Sequence, residues 1–213
     1  MTDFKIEREK MVKRQLESRD ITNQKVLDAM RVVPREKFVK DGMEERAYDD
    51  SALPIGADQT ISQPYIVALT LQAIDPDEGD VILDIGTGSG YAAAVASEIA
   101  DSVMSVERIE SLHQFAESNL EDAGIKNVRL RHGDGTLGWP EFAPYDGIMV
   151  AAASSEVPGN LKDQLKVNGH LVIPVGSGLV GQQLLRYTKQ EDESFIKEKI
   201  AGVRFVPLVS GKE

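Results

Sequence analysis

"VILDIGTGSGY", Val81 to Tyr91, decides the fold. Its first six residues form a short, nearly continuous apolar run, as expected of a strand covered on both faces. Asp84 stands near the end of that strand, and Gly86, Gly88 and Gly90 follow as G-x-G-x-G. Glycines let the backbone turn sharply and come close to a ligand, and open α/β sheets bind ligands at the carboxyl ends of their strands. "YAAAVASEIA" then continues as a small-residue helix. Three glycines alone say little; set between a strand and a helix they say more.

Working outward, "SVMSVE" (102–107) is a second strand, and residues 110–122, with Leu112, Phe115 and Leu120, a helix closed by Gly124. "NVRLRHGD", "YDGIMVAA" and "GHLVIPVG" are further strands, with a helix containing Leu161 and Leu165 between the last two. This alternation implies βαβ units, a parallel sheet and right-handed crossovers. After Gly178 it stops: "QQLLRYTK" and "SFIKEKIAGVRFVPL", joined by "QEDE", read as an antiparallel addition to the sheet edge. On the other side, residues 4–19 place Val12 and Leu16 on one helix face. Residues 24–33 form a helix with Val26, Leu27 and Met30, capped by Thr22 or Asn23. "PREKFV" reads as a short helix with proline in its first turn, and 41–60 as a polar loop. The N-terminal third is thus expected to be a helical cap.

The chain has 213 residues, is 41% hydrophobic and carries a formal net charge of −11. That length suits one domain with a sizeable core. So acidic a surface repels phosphate backbones and argues against nucleic acid. No run of eighteen apolar residues predicts a membrane span, and the charged "MTDFKIEREKMVKRQ" lacks a signal-peptide core. Cysteine is absent, which fits the cytoplasm. His113, His132 and His170 are widely spaced, so no metal site is expected.

Two cofactor classes compete for the glycine loop. A dinucleotide site uses G-x-G-x-x-G with a pyrophosphate at the helix N-terminus; here the third glycine comes one residue early. Asp84, just before the glycines, would repel a pyrophosphate. It suits S-adenosylmethionine, which carries a sulfonium and an ammonium group and no phosphate. Glu107, ending the second strand, can accept from both ribose hydroxyls, as it would in a dinucleotide enzyme too. Asp134, in "HGDG", can accept from the adenine amino group. Strand-end acids also cap the helices that follow. For Asp134 the two roles stand side by side; for Glu107 and the glycine loop the ligand role is favoured. His132 reads as a structural strand-end residue.

The chain closely resembles protein-L-isoaspartate O-methyltransferases, in family order and spacing from about residue 26 to residue 208. "VLDAMRVVPREKFV", "QTISQPYIVA", "LDIGTGSGY", "GDGTLGWPEFAPYDGIMVAAA", "VPGNLKDQLKVNGHLVIPVG" and "VRFVPL" carry the likeness. It implies a Rossmann-like class I methyltransferase: an α/β fold with a mainly parallel seven-stranded sheet, helices on both faces, an N-terminal helical cap and antiparallel C-terminal strands. One domain is expected, with cap and substrate loop at 1–78, cofactor-binding core at 79–176 and C-terminal strands at 177–213. The implied reaction methylates the free α-carboxylate of an L-isoaspartyl residue, and the ester collapses to a succinimide that can reopen to aspartate. By position, Ser62 matches the active-site serine. Asp84, Gly86, Thr87, Gly88, Gly90, Glu107, Arg108, Asp134 and Gly135 match the cofactor shell. Thr60, Ile61, Ser62, Val203, Phe205 and Val206 are expected to meet the peptide. The family often has glycine where this chain has Asp58.

The residues agree with that chemistry. A carboxylate, with a pKa of roughly 3–4, is already ionised and needs no general base. A serine donor can orient it without neutralising it. Pro64 fits best as the first helical residue, which makes Gln63 the N-cap and leaves the Ser62 hydroxyl free. Backbone groups of 203–208 offer a strand for an extended peptide, with Phe205 read as core. Partners are thus expected to be isoaspartyl proteins, met by a monomer. A small-molecule or nucleic-acid methyltransferase is the rival enzyme, though no N-P-P-Y motif is present; an adenosyl-binding regulator is the non-catalytic rival.

Overall fold

The computed structural model describes residues 2–177 and 181–213 and begins with the expected cap. α1 (Phe4–Met11) starts at Asp3, whose carboxylate accepts from the N–H groups of Lys5 and Ile6, and runs on into a π-helical turn, Val12–Glu17. α2 (Gln24–Val32) is capped by Asn23, which accepts from Lys25 and Val26. Pro34 stands just before the 3-10 turn Arg35–Phe38 rather than inside it.

The stretch expected to be loop holds a hairpin, β1 (Leu53–Gly56) and β2 (Gln59–Ile61), paired antiparallel. Strands of three or four residues are too short to show alternation in sequence. In its turn Asp58 adopts φ 55°, the left-handed region that glycine enters freely and aspartate tolerates better than most. α3 (Pro64–Ile74) begins with Gln63 as N-cap and Pro64 as its first residue.

Behind the cap lies a seven-stranded sheet. Its elements are β3 (Val81–Ile85), α4 (Tyr91–Ser97), β4 (Ser102–Glu107), α5 (Glu110–Ala123), β5 (Val128–His132), β6 (Tyr145–Val150), α6 (Gly159–Asp163), β7 (Leu165–Ser177), β8 (Gly181–Lys189) and β9 (Phe195–Val203). The order is β5-β4-β3-β6-β7-β8-β9; the first five strands run parallel and the last two join antiparallel. The chain builds outward from β3 on one side and then returns to its other side with β6. That reversal opens a crevice beyond the carboxyl ends of β3 and β6.

Side-chain alternation divides the core. Ile82 and Met149 pack under the cap, α3 and α4, whereas Leu83, Ile85, Ile148 and Val150 face the opposite side, with Leu161 of α6, Trp139 and Phe142. Asp84 shares the cap-side face with Ile82 by the same period. The edge strand β9 carries a run of exposed Lys and Glu, which discourages pairing with other chains.

Two expectations need correction. Leu165 opens β7 instead of lying in the preceding helix, because the chain is captured there: Tyr145 pairs with Leu165 and its N–H donates to the Gln164 carbonyl. "VRFVPL" is not the end of a core strand. β9 stops at Val203, and the chain leaves the sheet to bridge Ala153 at Pro207, so Phe205 is half-buried outside any strand. Among the described residues, no helix is long and apolar enough to cross a membrane.

Candidate active site

The glycine loop turns at the crevice with Gly86, Gly88 and Gly90 at φ 90°, 57° and 90°. Gly90 also permits close packing, since an added Cβ would lie 3.2 Å from Leu120 Cγ. Gly86 N–H donates to Val106 at the end of β4, which ties the loop to the neighbouring strand. Glu107, only 5% exposed, locks it further: Oε2 accepts from Gly88 N–H at 2.9 Å and Oε1 from Ile109 N–H at 3.0 Å. Each oxygen keeps an unused lone pair, and Glu107 lines the cavity.

That cavity is walled by Gly86–Ser89, Glu107–Ile109, Gly135 and Val206–Val209, with Thr60, Ile61 and Ser62 on its cap side. Gly135 is needed there, because a Cβ would come within 2.6 Å of Ile85 Cγ2. Arg108 reaches the wall with its guanidinium paired to Glu213 at 2.8 Å. Thr87 turns its hydroxyl to Ser105, 2.6 Å away. Asp134 lies behind the wall: its carboxylate accepts from Thr136 N–H, the Thr136 hydroxyl and Gly211 N–H.

Asp84 is 1% exposed and sits below the crevice. Ser105 donates to its Oδ2 at 2.7 Å, while Oδ1 has no partner. Burial pushes its carboxyl up to about 7; the Ser105 hydroxyl pulls the other way and the charge of Glu107 adds to the rise. It borders a small void shared with Ser62, Thr70 and Phe205. Asp84 within β3, Glu107 at the end of β4 and Asp134 just beyond β5 thus stand on three adjacent strands at different depths.

Ser62 lies at the junction. It lines the glycine-loop cavity, the small void over Asp84 and an open cleft formed with Gln63, Gln182 and 202–206. Its hydroxyl bonds to no described residue, as the Pro64 register predicts. Ala151, just beyond β6, is the other residue common to all three spaces. The strand-end rule points to it, although sequence reading passed over it.

Val203, Phe205 and Val206 line the open cleft, but their backbone is not a free edge. Ala153 takes Val206 O and Leu208 N–H, each at 2.7 Å. Gln182 mimics a strand on the other side: its Oε1 accepts from Phe205 N–H at 2.6 Å and its Nε2 donates to Phe205 O at 3.1 Å. Full strand addition is blocked unless Gln182 yields. No local signal marks Gln182, since its partner lies 23 residues away.

The sheet order, antiparallel closing strands and glycine loop at the reversal define a class I methyltransferase scaffold. A solved protein-L-isoaspartate O-methyltransferase superposes with TM-score 0.85 at 32% identity, covering 94% of this chain; this chain spans 65% of that one. A Plasmodium falciparum protein assigned to the same activity, solved with S-adenosyl-L-homocysteine, gives 0.81 at 27% identity, covering 98% and 99%. The sequence model of the protein-L-isoaspartate(D-aspartate) O-methyltransferase family matches residues 6–213. Protein-L-isoaspartate O-methyltransferase 2 of Pelobacter propionicus is 53% identical over 205 residues, 96% of this chain and 91% of the relative. That of Brucella anthropi is 48% identical over 212 residues, 100% and 97%. The chain belongs to the protein-L-isoaspartate O-methyltransferase family.

Proposed function

We propose that the protein transfers a methyl group from S-adenosyl-L-methionine to the free α-carboxylate of L-isoaspartyl residues in damaged proteins. The observation that carries this is Ser62, an unengaged hydroxyl where the glycine-loop cavity meets the open cleft. The residues fit the cofactor: the Glu107 carboxylate and backbone groups line the cavity, Arg108, the one cation on its wall among the described residues, is paired to Glu213, and Asp84 Oδ1 is an orphaned buried acceptor below it. Such a donor set suits a cationic adenosyl group and disfavours a pyrophosphate.

Glu107 would take the ribose hydroxyls with the acceptor capacity left after Gly88 and Ile109. Asp134 has three of about four acceptor positions filled, leaving one for the adenine amino group beside Gly135. Gly86, Thr87, Gly88 and Gly90 shape the floor, Arg108 the rim, and Asp84 supplies negative potential from below. When bound, the cofactor supplies an electrophilic methyl on a sulfonium, which leaves as neutral S-adenosyl-L-homocysteine. Ser62 aims the acceptor carboxylate. Thr60, Ile61, Val203, Phe205 and Val206 seat the flanking peptide. No protein base takes part, since the acceptor is ionised at neutral pH. Holding the acceptor in line can supply on the order of 7–11 kcal/mol.

We read the whole chain as one methyltransferase domain: one hydrophobic cluster runs from Met11 and Met30 of the cap to Ile82 and Val172 of the sheet. The net charge of −11 supports protein rather than nucleic acid as partner, and the lack of cysteine fits a cytoplasmic setting. Labelled cofactor is expected to mark an isoaspartyl peptide, and neither the matching aspartyl peptide nor a nucleic acid. Label in either of the last two and none in the first ends this reading.

Gln182 offers a narrower test. Gln182→Ala frees both backbone groups of Phe205 and loosens the cleft wall. At about 1 kcal/mol per bond, the two lost bonds set an upper limit of roughly 30-fold on the expected rise in peptide KM, with the cofactor KM unchanged. Equal rises in both constants, measured by steady-state kinetics, would place Gln182 elsewhere in the mechanism.

A further inference from the structure

The most buried charge in the molecule stands directly behind the serine loop. Arg35 is 0% exposed. Its Nε donates to Ala47 O at 2.7 Å and its Nη2 to Ser62 O at 2.8 Å, while its guanidinium lies 4.6 Å from the ring centre of Tyr91, the first residue of α4. One side chain therefore joins the cap, the serine loop and the helix after the glycine loop. Nη1 is buried without a partner.

What this arginine lacks is an anion. None of the ion pairs among the described residues includes it. The adjacent Glu36 is spent on Arg8 and Tyr48. Burial works against the charge and pushes the guanidinium's pKa down, yet a guanidinium stays protonated in proteins near neutral pH. Two carbonyl dipoles and a ring face only partly offset the desolvation of a buried cation. As a device for fixing a loop, a neutral amide donor would be far cheaper. The charge itself needs a reason.

The site provides one, given the reading that an isoaspartyl carboxylate docks at Ser62. That carboxylate must enter a protein of net charge −11 and settle near Asp84 and Glu107. We propose that Arg35 is the positioning residue of the serine loop and the buried cation that makes the loop select an anionic acceptor over its neutral amide or ester counterpart. It acts through the Ser62 carbonyl, without touching the substrate. The charge also explains product release, because methylation converts the bound anion into a neutral ester that no longer benefits from it.

This predicts how kinetics divide. During transfer the acceptor loses its negative charge, so a cation behind it stabilises the bound reactant more than the transition state. Removing it should weaken substrate binding without slowing the bound complex. Misplacing the loop would instead lower kcat.

The experiment measures dissociation constants for an isoaspartyl peptide and for the same peptide with that carboxylate as a primary amide, both with S-adenosyl-L-homocysteine present so that no turnover occurs. Wild type is expected to prefer the carboxylate. Arg35→Gln should weaken carboxylate binding about 10- to 30-fold, as expected for one charge roughly 8–12 Å away at an effective dielectric near 20, with the amide constant unmoved. Arg35→Lys should restore most of the preference. An unchanged carboxylate-to-amide ratio in folded Arg35→Gln overturns the proposal, as does a fall in kcat with both peptides weakened alike. If Arg35→Gln does not fold, wild type still decides. A buried charge resists screening, so the ratio should survive from 0.05 to 0.5 M salt, roughly a threefold drop in Debye length; a ratio that collapses assigns the preference to an exposed cation such as Arg204. Wild type that methylates no isoaspartyl peptide overturns the functional reading itself, whereas active wild type with indifferent Arg35 variants overturns only this inference.

Discussion

Ser62→Ala is expected to lower kcat/KM for an isoaspartyl peptide by about 10- to 100-fold, the equivalent of one hydrogen bond to a charged group, roughly 1.5–3 kcal/mol. The structure makes this variant clean. The hydroxyl serves no described residue, so its removal orphans no donor or acceptor, and Gln63 rather than Ser62 caps α3. Arg35 grips the Ser62 carbonyl, which alanine retains. Unfolding temperature and circular dichroism should therefore match wild type, with the change in stability within about 0.5 kcal/mol. Cofactor affinity should also hold. Full kcat/KM in the folded variant would remove Ser62 from the chemistry and leave its position at the junction without a role.

The second large effect is a pH dependence. Burial holds the Asp84 carboxyl near 7, against the ordinary value of 3.8. Because the folded value is raised, the folded state binds this proton more tightly than the unfolded chain. The stabilisation is complete below about pH 4 and is lost as pH rises toward about 7, beyond which it stays lost. Its upper bound is on the order of 4 kcal/mol. Cofactor-free protein should therefore melt lower at pH 8 than at pH 5, and Asp84→Asn should flatten that slope whatever its effect on absolute stability. S-adenosyl-L-methionine, cationic above this carboxylate, should lower its pKa and flatten the wild-type slope as well. Melting curves at pH 5 to 8 would contradict this assignment if wild type and Asp84→Asn ran parallel.

Much of this was legible in the residues. "VILDIG" and "SVMSVE" read as buried strands because central parallel strands are apolar on both faces, and β3 and β4 match them closely. Proline geometry placed the start of α3 and freed the serine. The glycine spacing and its acidic neighbours pointed away from a dinucleotide and toward an adenosyl cation. The β1–β2 hairpin was hidden, because strands of three and four residues carry no period. The ends of α6 and β9 shifted because each is set by a long-range capture, Leu165 by Tyr145 and Pro207 by Ala153.

By itself, then, the sequence determined the type of each major element, the side of the cofactor loop on which charge gathers, and the freedom of the Ser62 hydroxyl. These follow from period, backbone restriction and charge, which act over a few neighbouring residues. Only the tertiary structure decided that Phe205 is clamped by Gln182 and is not a bare strand edge, that Asp134 is already bonded to Gly211, and that Arg35 is buried beneath the serine loop. In each case the partners lie 23 to 77 residues apart, a separation bridged by packing against the sheet and invisible to any local pattern.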